Sequence, residues 1–256
     1  MSADVSRDQD VPRDHAMNSS PVNGFATTQW SIVQAAGRTS SPSAKVALSK
    51  LCEVYWPPVY AFIRRKGHSA ADAEDLTQAF FVHILETSFM AAADRNRGRF
   101  RSFLLASVTN FLNAQHRFHK AEKRGGNQAV VSLNIEFAEE RFLKDSSASL
   151  SAEQLFERQW SLTLIQNAMS QLQSEYRSHG HSQLFELLEP LMNGSAERTP
   201  YAQLSDQLGM SEDAIKQAAR RLKIRYRELL RTAIAETVSS KDEIDDELRQ
   251  LMTSLS

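Results

Sequence analysis

The segment at 199–231, TPYAQLSDQLGMSEDAIKQAARRLKIRYRELLR, contains cations whose spacing fits the binding of a polyanion. On a helix with about 100° per residue, five of them fall within about 80° of one another: Lys216, Arg220, Lys223, Arg227 and Arg231. Apolar residues take the opposite side, where we expect them to face the core: Ile215, Ala219, Leu222, Tyr226 and Leu229. Because Lys and Arg neutralise phosphates, nucleic acid is the first partner that this pattern predicts.

The residues ahead of this basic helix predict a helix-turn-helix. Gly209 stands where the tight turn between two helices needs a positive φ or a close approach of the backbone. Ser211 is a good N-cap for the second helix. Glu212 and Asp213 follow in the first turn of that helix, where the helix dipole favours anions. We therefore expect the basic helix to begin at Ser211.

A second segment, SAADAEDLTQAFFVHILE at 69–86, predicts a core helix with an acidic outer stripe. Ser69 can cap its N-terminus, with Asp72 three residues on as a variant of the capping box. A broad apolar arc is formed by Leu76, Phe80, Phe81, Ile84 and Leu85, and the opposite side carries Asp72, Asp75, Ala79, His83 and Glu86. The stripe is either a solvated face or a docking surface for a basic protein partner, and the pattern alone leaves both open.

A third segment, GRFRSFLLASVTNFLNAQHRFHKAEKRGG at 98–126, predicts a helix with a polar and basic face. Five apolar residues share the face that should pack inward: Phe100, Phe103, Leu104, Phe111 and Phe118. The other face carries Arg99, Asn110, Asn113, His116, Arg117 and Lys120. Asn and Arg can bond base edges and Lys can neutralise phosphate, so this face is either a nucleic-acid surface or a solvated one.

Composition limits the class of protein. The 256 residues have a formal net charge of −1, so attraction to nucleic acid must come from an uneven distribution of charge. Residues 95–124 hold eight Lys or Arg against one acid, whereas 69–90 hold four acids and no cation. The single cysteine, Cys52, excludes an intrachain disulfide. The N-terminus lacks an apolar region and no stretch approaches the roughly 20 apolar residues of a membrane span, so we expect a cytoplasmic protein.

Helical periodicity dominates after about residue 25 and predicts an all-α fold with two domains. We predict a disordered segment at 1–24, a first helical domain at 25–124, a linker at 125–150 and a second helical domain at 151–238. Strand-like alternation is confined to AVVSLNIEF at 129–137. The acidic tail at 239–256 can form one more amphipathic helix through Ile244, Leu248, Leu251 and Leu255. Its charge motivates the hypothesis that it folds back on a basic helix and inhibits it.

These segments resemble, in order and spacing, a sigma-70-type RNA polymerase sigma factor. DAEDLTQAFFVHILE resembles region 2.2, GRFRSFLLASVTNFLNAQHRFHKAEKR is similar to regions 2.3–2.4, and 199–231 is similar to region 4. No pattern of region 1.1 or region 3 lies between them, which is the layout of the extracytoplasmic-function (ECF) class. FATTQWSIVQAA, ERQWSLTLIQNAM and the C-terminal tail are similar to a large ECF subgroup of planctomycete-like bacteria. The resemblance covers about 25–256.

The resemblance implies a region 2-like helical bundle and a region 4-like helix-turn-helix that direct promoter-specific initiation. Its partners would be core RNA polymerase, through the β′ coiled coil and the β flap, promoter DNA, and an anti-sigma factor or other regulator. The residues it implies for polymerase docking are Asp72, Glu74, Asp75 and Glu86. Those for the −10 element are Arg99, Arg101, Asn110, Asn113, Arg117 and Lys120. On the −35 element, Lys216, Gln217 and Arg220 would read bases, while Arg221, Lys223 and Arg227 would contact phosphates.

Two other function classes remain as alternatives. The main one is a dimeric helix-turn-helix transcriptional regulator that binds duplex operators, and the other is an enzyme with a DNA-binding appendix. The sequence contains no glycine-rich phosphate loop, no paired carboxylates in a cleft pattern and no nucleophile elbow. His116 and His119 have the spacing of a metal pair, but no Cys or carboxylate accompanies them. We therefore expect no catalytic residue, no metal and no cofactor.

Overall fold

The structure, a computed structural model, describes residues 42–86, 99–119, 135–145, 149–192, 201–238 and 240–255. In these ranges the regular structure is entirely helical, with nine α-helices and one short 3-10 helix at Glu189–Leu191. The α-helices are α1 (Pro42–Arg65), α2 (Ala70–Glu86), α3 (Phe100–His119), α4 (Ile135–Asp145), α5 (Ala152–Ser178), α6 (Ser182–Leu188), α7 (Tyr201–Leu208), α8 (Glu212–Ala235) and α9 (Glu243–Leu255). The predicted all-α class is confirmed for this part of the chain, and the segment 1–24 lies outside it.

The longest described helix, α5, occupies the centre of the fold. The side chain of Ser151 caps its N-terminus by accepting the backbone N–H of Gln154, and the Gln154 side chain bonds back to the Ser151 N–H. The helix packs against α1, α6, α8 and α9. Its fully buried Trp160 belongs to a hydrophobic cluster that runs without interruption from Tyr55 of α1 to Leu222 of α8. The helices on either side of the predicted linker thus share one buried cluster.

Helices α1, α2 and α3 surround an aromatic core. The Tyr55 and Phe100 rings meet edge to face at 5.2 Å between centroids, and Phe80 lies 5.6 Å from Phe111. The predicted inward faces are confirmed where the structure describes them, because Phe80, Phe81, Ile84, Phe100, Leu104 and Phe111 are buried, and Leu76 and Phe103 pack against the same cluster. The side chains of Leu85 and Phe118 lie outside the described residues.

Helix α4 lies within the segment predicted as a linker. Residues 135–137, the end of the strand-like run in the sequence, form the first turn of this helix. Its attachment to α1 is polar: the Tyr60 hydroxyl donates to Glu139 at 2.5 Å, and Arg64 donates two bonds to the same carboxylate, at 2.9 and 3.0 Å. Arg141 crosses to α5 and donates to the Gln159 carbonyl at 3.1 Å. Burial lowers the pKa of Arg141 to about 10. The part of 125–150 that the structure describes is therefore held against α1 and α5.

The predicted C-terminal helix is confirmed as α9. Leu251 is buried, and Ile244, Leu248 and Leu255 pack against the same cluster. The helix lies against α5 and α8. The amphipathic spacing of α9 therefore places its apolar residues against the common core. Two of its acidic side chains reach other helices: Asp245 contacts Arg231 of α8, and Glu247 contacts Arg101 of α3.

Candidate nucleic-acid interface

Helices α7 and α8 are joined by a short turn at the position of the predicted helix-turn-helix. Gly209 has a φ of 61°, the left-handed conformation that favours glycine in a tight turn. The Ser211 hydroxyl accepts the backbone N–H of Ala214 at 3.3 Å, so the predicted N-cap is confirmed. Leu204 of α7 and Ile215 of α8 are buried in the common cluster and hold the two helices together. The turn and the start of α8 are therefore fixed by local interactions.

Helix α8 divides into a buried side and an exposed side, as its periodicity predicts. The buried side consists of Ile215, Ala218, Ala219, Leu222, Leu229, Leu230 and Ile234, with Tyr226 packed against the same cluster. The residues predicted to contact the −35 element are all exposed: Lys216, Gln217, Arg220, Arg221, Lys223 and Arg227. We call these six residues the α8 polar face. The structure thus brings every predicted −35 residue onto one exposed helix.

Most cations of the α8 polar face lack an acidic partner in the part of the chain that the structure describes. Arg220, Arg221, Lys223 and Arg227 form no ion pair within the ranges that the structure describes. Lys216 lies 3.3 Å from Asp213 and 3.8 Å from Glu212, but all three side chains are about half exposed or more, so a phosphate could replace these weak pairs. The positive potential of this face is therefore left open to a polyanion.

Arg225 lies outside the face and fixes the position of α8. Its guanidinium donates to both carboxylate oxygens of Glu175 on α5, at 2.9 and 2.8 Å, and a further bond reaches Glu228. The hydrogen bonds from Arg225 hold the pKa of the Glu175 carboxyl below its ordinary value. A bidentate pair with this geometry orients the helix as well as attracting it. The basic stripe predicted from the sequence leaves Arg225 out, but nothing in the sequence pattern indicates its partner, because Glu175 lies 50 residues earlier in the chain.

The predicted acidic docking face on α2 is exposed in part. Asp72 and Asp75 are exposed and Glu74 is half-buried, with its carboxylate accepting the Gln78 amide at 3.3 Å. Asp72 also accepts the Ser69 hydroxyl at 2.7 Å while Ser69 caps the helix, which confirms the predicted cap. None of the three carboxylates pairs with a cation in the described part of the chain. The side chain of Glu86 lies outside the described residues.

The six residues predicted for the −10 element do not share one environment. Asn110, Asn113 and Arg117 are exposed on α3, where Arg117 donates to the Asn113 carbonyl at 3.3 Å. Lys120 lies outside the described residues. Arg99, just before α3, is half-buried and forms an ion pair with Glu247 of α9. Arg101 does not lie on the exposed face at all, because only 2% of its side chain is accessible.

Arg101 instead belongs to a buried ion cluster formed with Arg99, Glu157 and Glu247. Its Nε lies 2.8 Å from Oε1 of Glu247, its Nη1 bonds Glu157, and its guanidinium lies 4.7 Å from the Trp160 ring centroid. A signal for this position was present in the sequence: Arg101 lies on the same stripe of α3 as Leu104, Val108 and Leu112, all of which are buried. Arg101 can be buried on this apolar stripe despite its charge, because Glu157 of α5 and Glu247 of α9 pair with it.

Burial opposes both charges in this cluster. It lowers the pKa of the Arg101 guanidinium and raises the pKa of the Glu247 carboxyl, while each of the two charges favours the ionised form of the other. The cluster contains two cations and two anions, so its charges balance. Such a cluster is costly to break at one member, but it contributes little net stability when complete.

Comparison with protein-family models, with curated proteins and with solved structures finds no match to this chain in any of the three. Among the helices that the structure describes, none combines the length and the apolar character that crossing a membrane requires. Within the same described ranges, no three His, Cys, Asp or Glu side chains are grouped as metal ligands would be. The function of the chain is therefore inferred from the geometry of α2, α3 and α8.

Proposed function

We propose that the protein is an ECF-type sigma factor that binds core RNA polymerase and directs it to promoters. The observation that carries the proposal is the α8 polar face, which lies on the capped second helix of the α7–α8 pair and carries four cations without an acidic partner in the described residues. Such a face fits a duplex, because a recognition helix enters the major groove with its N-terminal residues at the bases. In this proposal Lys216, Gln217 and Arg220 read the −35 element.

The remaining cations of the face would position the helix. Arg221, Lys223 and Arg227 follow the reading residues along α8, where they would contact phosphates of the same groove. Phosphate contacts set the register of a protein on DNA but carry no sequence information themselves. The Arg225–Glu175 pair would keep the face correctly oriented, since it ties α8 to the central helix α5.

Two further surfaces support a sigma factor over a protein that only binds an operator. The exposed carboxylates of Asp72 and Asp75 on α2 would dock on the basic coiled coil of the polymerase β′ subunit. Asn110, Asn113 and Arg117 on α3 would engage the −10 element. The two-domain division at 25–124 and 151–238 belongs to the same proposal. A protein that only binds an operator has no need of an acidic face beside a second polar helix.

Transcription in vitro tests the proposal. Purified chain and bacterial core polymerase are incubated with a library of promoter fragments, and transcripts are sequenced to locate their start sites. We expect the chain to co-purify with core polymerase and to produce transcripts from a defined subset of fragments. Tight binding to duplex DNA without polymerase, together with no polymerase association, would instead support a dimeric helix-turn-helix regulator and refute our proposal.

Matched variants make the test specific. Arg220→Ala removes an exposed cation from the α8 polar face, and Lys144→Ala removes an exposed cation from α4 that pairs only with Glu140 in the described residues. We expect Arg220→Ala to reduce transcription from the selected promoters and Lys144→Ala to leave it unchanged. An equal effect of both substitutions would show that net charge, and not the α8 polar face, determines promoter use.

A further inference from the structure

We propose that α9 is an intramolecular latch: while it is docked, it occupies Arg99 and competes with nucleic acid for that side chain. This inference depends on the proposed function of α3 at the −10 element. The carboxylate of Glu247 is fully buried and its Oε2 lies 3.0 Å from Nη1 of Arg99, whose guanidinium also bonds the side chain of Gln250. A carboxylate here takes the place that a DNA phosphate would take.

The docked position of α9 is defined by polar contacts at both of its ends. At the C-terminal end, Arg158 of α5 donates to the backbone carbonyls of Ser254 and Leu255, at 3.3 and 2.8 Å. These are carbonyls that the last turn of a helix leaves unpaired. The Ser254 hydroxyl donates to the hydroxyl of Ser161, also on α5, at 2.7 Å. The end of α9 is therefore held by the central helix.

At the other end, α9 contacts the helix that carries the α8 polar face. Asp245 accepts a bond from Arg231 of α8 at 2.6 Å. Arg231 belongs to the stripe of cations that the sequence predicts to face a polyanion. One short helix thus neutralises a cation next to α3 and another on α8. Both contacts have the chemistry of a competitor for phosphate.

Apart from the buried pair of Glu247 and Arg101, the contacts of α9 are of a kind that can be exchanged for contacts with water or phosphate. Leu251 is the buried apolar side chain of α9, while its other apolar residues are only partly covered or exposed. The pair between Arg231 and Asp245 is half exposed or more on both sides, so salt screens it. Releasing α9 leaves Arg101 with Glu157 and Trp160, whereas Arg99 loses both of its α9 partners. Arg99 is therefore the residue whose access changes.

The first test measures access to Arg99 and does not involve DNA. Phenylglyoxal, a reagent for arginine, is applied to the full chain, and its addition to Arg99 is followed by mass spectrometry. We expect Glu247→Gln to raise the rate at Arg99 by about fivefold or more, within the usual range of couplings between two states. The matched control is Asp246→Asn, which removes the same charge from an exposed side chain that pairs with Arg249 of α9. Equal rates at Arg99 in the wild type and Glu247→Gln overturn the latch.

The second test closes the latch covalently, which avoids a variant that destabilises α9. Ser161→Cys and Ser254→Cys are combined in a Cys52→Ser background, because the two hydroxyl oxygens already lie 2.7 Å apart. A single-stranded oligonucleotide is titrated at low salt, and anisotropy reports binding. We expect the oxidised form to bind about fivefold more weakly than the reduced form. The Cys52→Ser parent should not respond to reduction.

An internal reference separates the latch from other effects of the crosslink. Arg99→Gln, introduced into the reduced double-cysteine variant, should lower affinity most of the way to that of the oxidised form, in which α9 covers Arg99 and also pairs with Arg231. Oxidised and reduced forms of equal affinity overturn the latch. The proposed function is judged separately by transcription with the unmodified chain. Failure of that transcription leaves the result with phenylglyoxal unaffected, so the two failures are distinguishable.

Discussion

The buried pair of Arg101 and Glu247 permits a quantitative test of the packing between α3 and α9. At the 2.8 Å separation and an effective dielectric constant of about 20, the Coulomb attraction is about 6 kcal/mol. Desolvation opposes it by several kcal/mol for each ion, so the intact pair contributes little net free energy. Arg101→Met leaves Glu247 fully buried with Arg99 alone, and we expect the free energy of unfolding to fall by about 3–5 kcal/mol.

The double variant shows whether this loss comes from the pair. Arg101→Met combined with Glu247→Leu removes both charges and keeps apolar volume, so we expect it to be less destabilised than the sum of the single variants. The coupling energy should fall within about 0.5–3 kcal/mol, the range for residues in contact. Helix α9 supplies its own control, because Asp246 and Arg249 form an exposed pair on the same helix. Their coupling should stay below about 1 kcal/mol.

The assay is urea unfolding, followed by tryptophan fluorescence and by far-ultraviolet circular dichroism. Fluorescence is informative because Trp160 is fully buried 4.7 Å from the Arg101 guanidinium, and coincident transitions would support a two-state treatment. If Arg101→Met lowers the free energy of unfolding by less than the coupling energy of the exposed pair of Asp246 and Arg249, the cluster is not buried as described. Equal coupling energies for the two pairs would refute the reasoning as well.

Three further predictions concern the interfaces and pH. Arg220→Ala should relax preference at one position of the −35 element, measured as transcript yield across single-base promoter variants, and an unchanged preference would remove Arg220 from the reading set. Asp75→Ala should weaken binding to core polymerase without altering promoter choice, as measured by titration with labelled polymerase, and unchanged affinity would contradict the docking face. Arg225 lowers the pKa of Glu175 in the folded protein. The pair should therefore contribute its full stability above the ordinary carboxyl pKa of 4.5, and this contribution should be lost as pH falls through the lowered pKa of the folded state. Arg225→Gln should flatten that part of the stability–pH curve, and an unchanged curve would assign the acid sensitivity to other carboxylates.

The features that could be predicted from the sequence are those that a few neighbouring residues determine. The two sides of α8 follow from helical periodicity, and the caps at Ser69 and Ser211 depend on residues within one turn. Gly209 adopts the predicted positive φ because a tight turn has few alternatives. Helical periodicity also places the six residues of the α8 polar face on one exposed surface.

What the sequence did not predict depends on residues far apart in the chain. Arg101 has the pattern of a surface cation in the sequence, because the partners that bury it come from α5 and α9, 56 and 146 residues further on. Helix α4 was missed because much of what holds it lies on α1, in Tyr60 and Arg64. The apolar signal of α4 is short, because its buried apolar side chains are Ala138 and Phe142, one turn apart, and so the segment resembles a linker.

The central position of α5 has a practical consequence for dissecting the protein into fragments. The ring of Phe62 on α1 meets Phe156 of α5 edge to face at 6.5 Å, so a fragment that stops before α5 uncovers the face of α1 that the long helix protects. A fragment that begins at α5 uncovers the opposite contact, including Trp160. We therefore expect a cut at residue 150 to yield two poorly soluble pieces. A fragment that ends at residue 192 keeps the contact between α5 and α1 but uncovers the faces of α5 that α8 and α9 protect, so the intact chain is the material we expect to suit structural and binding work.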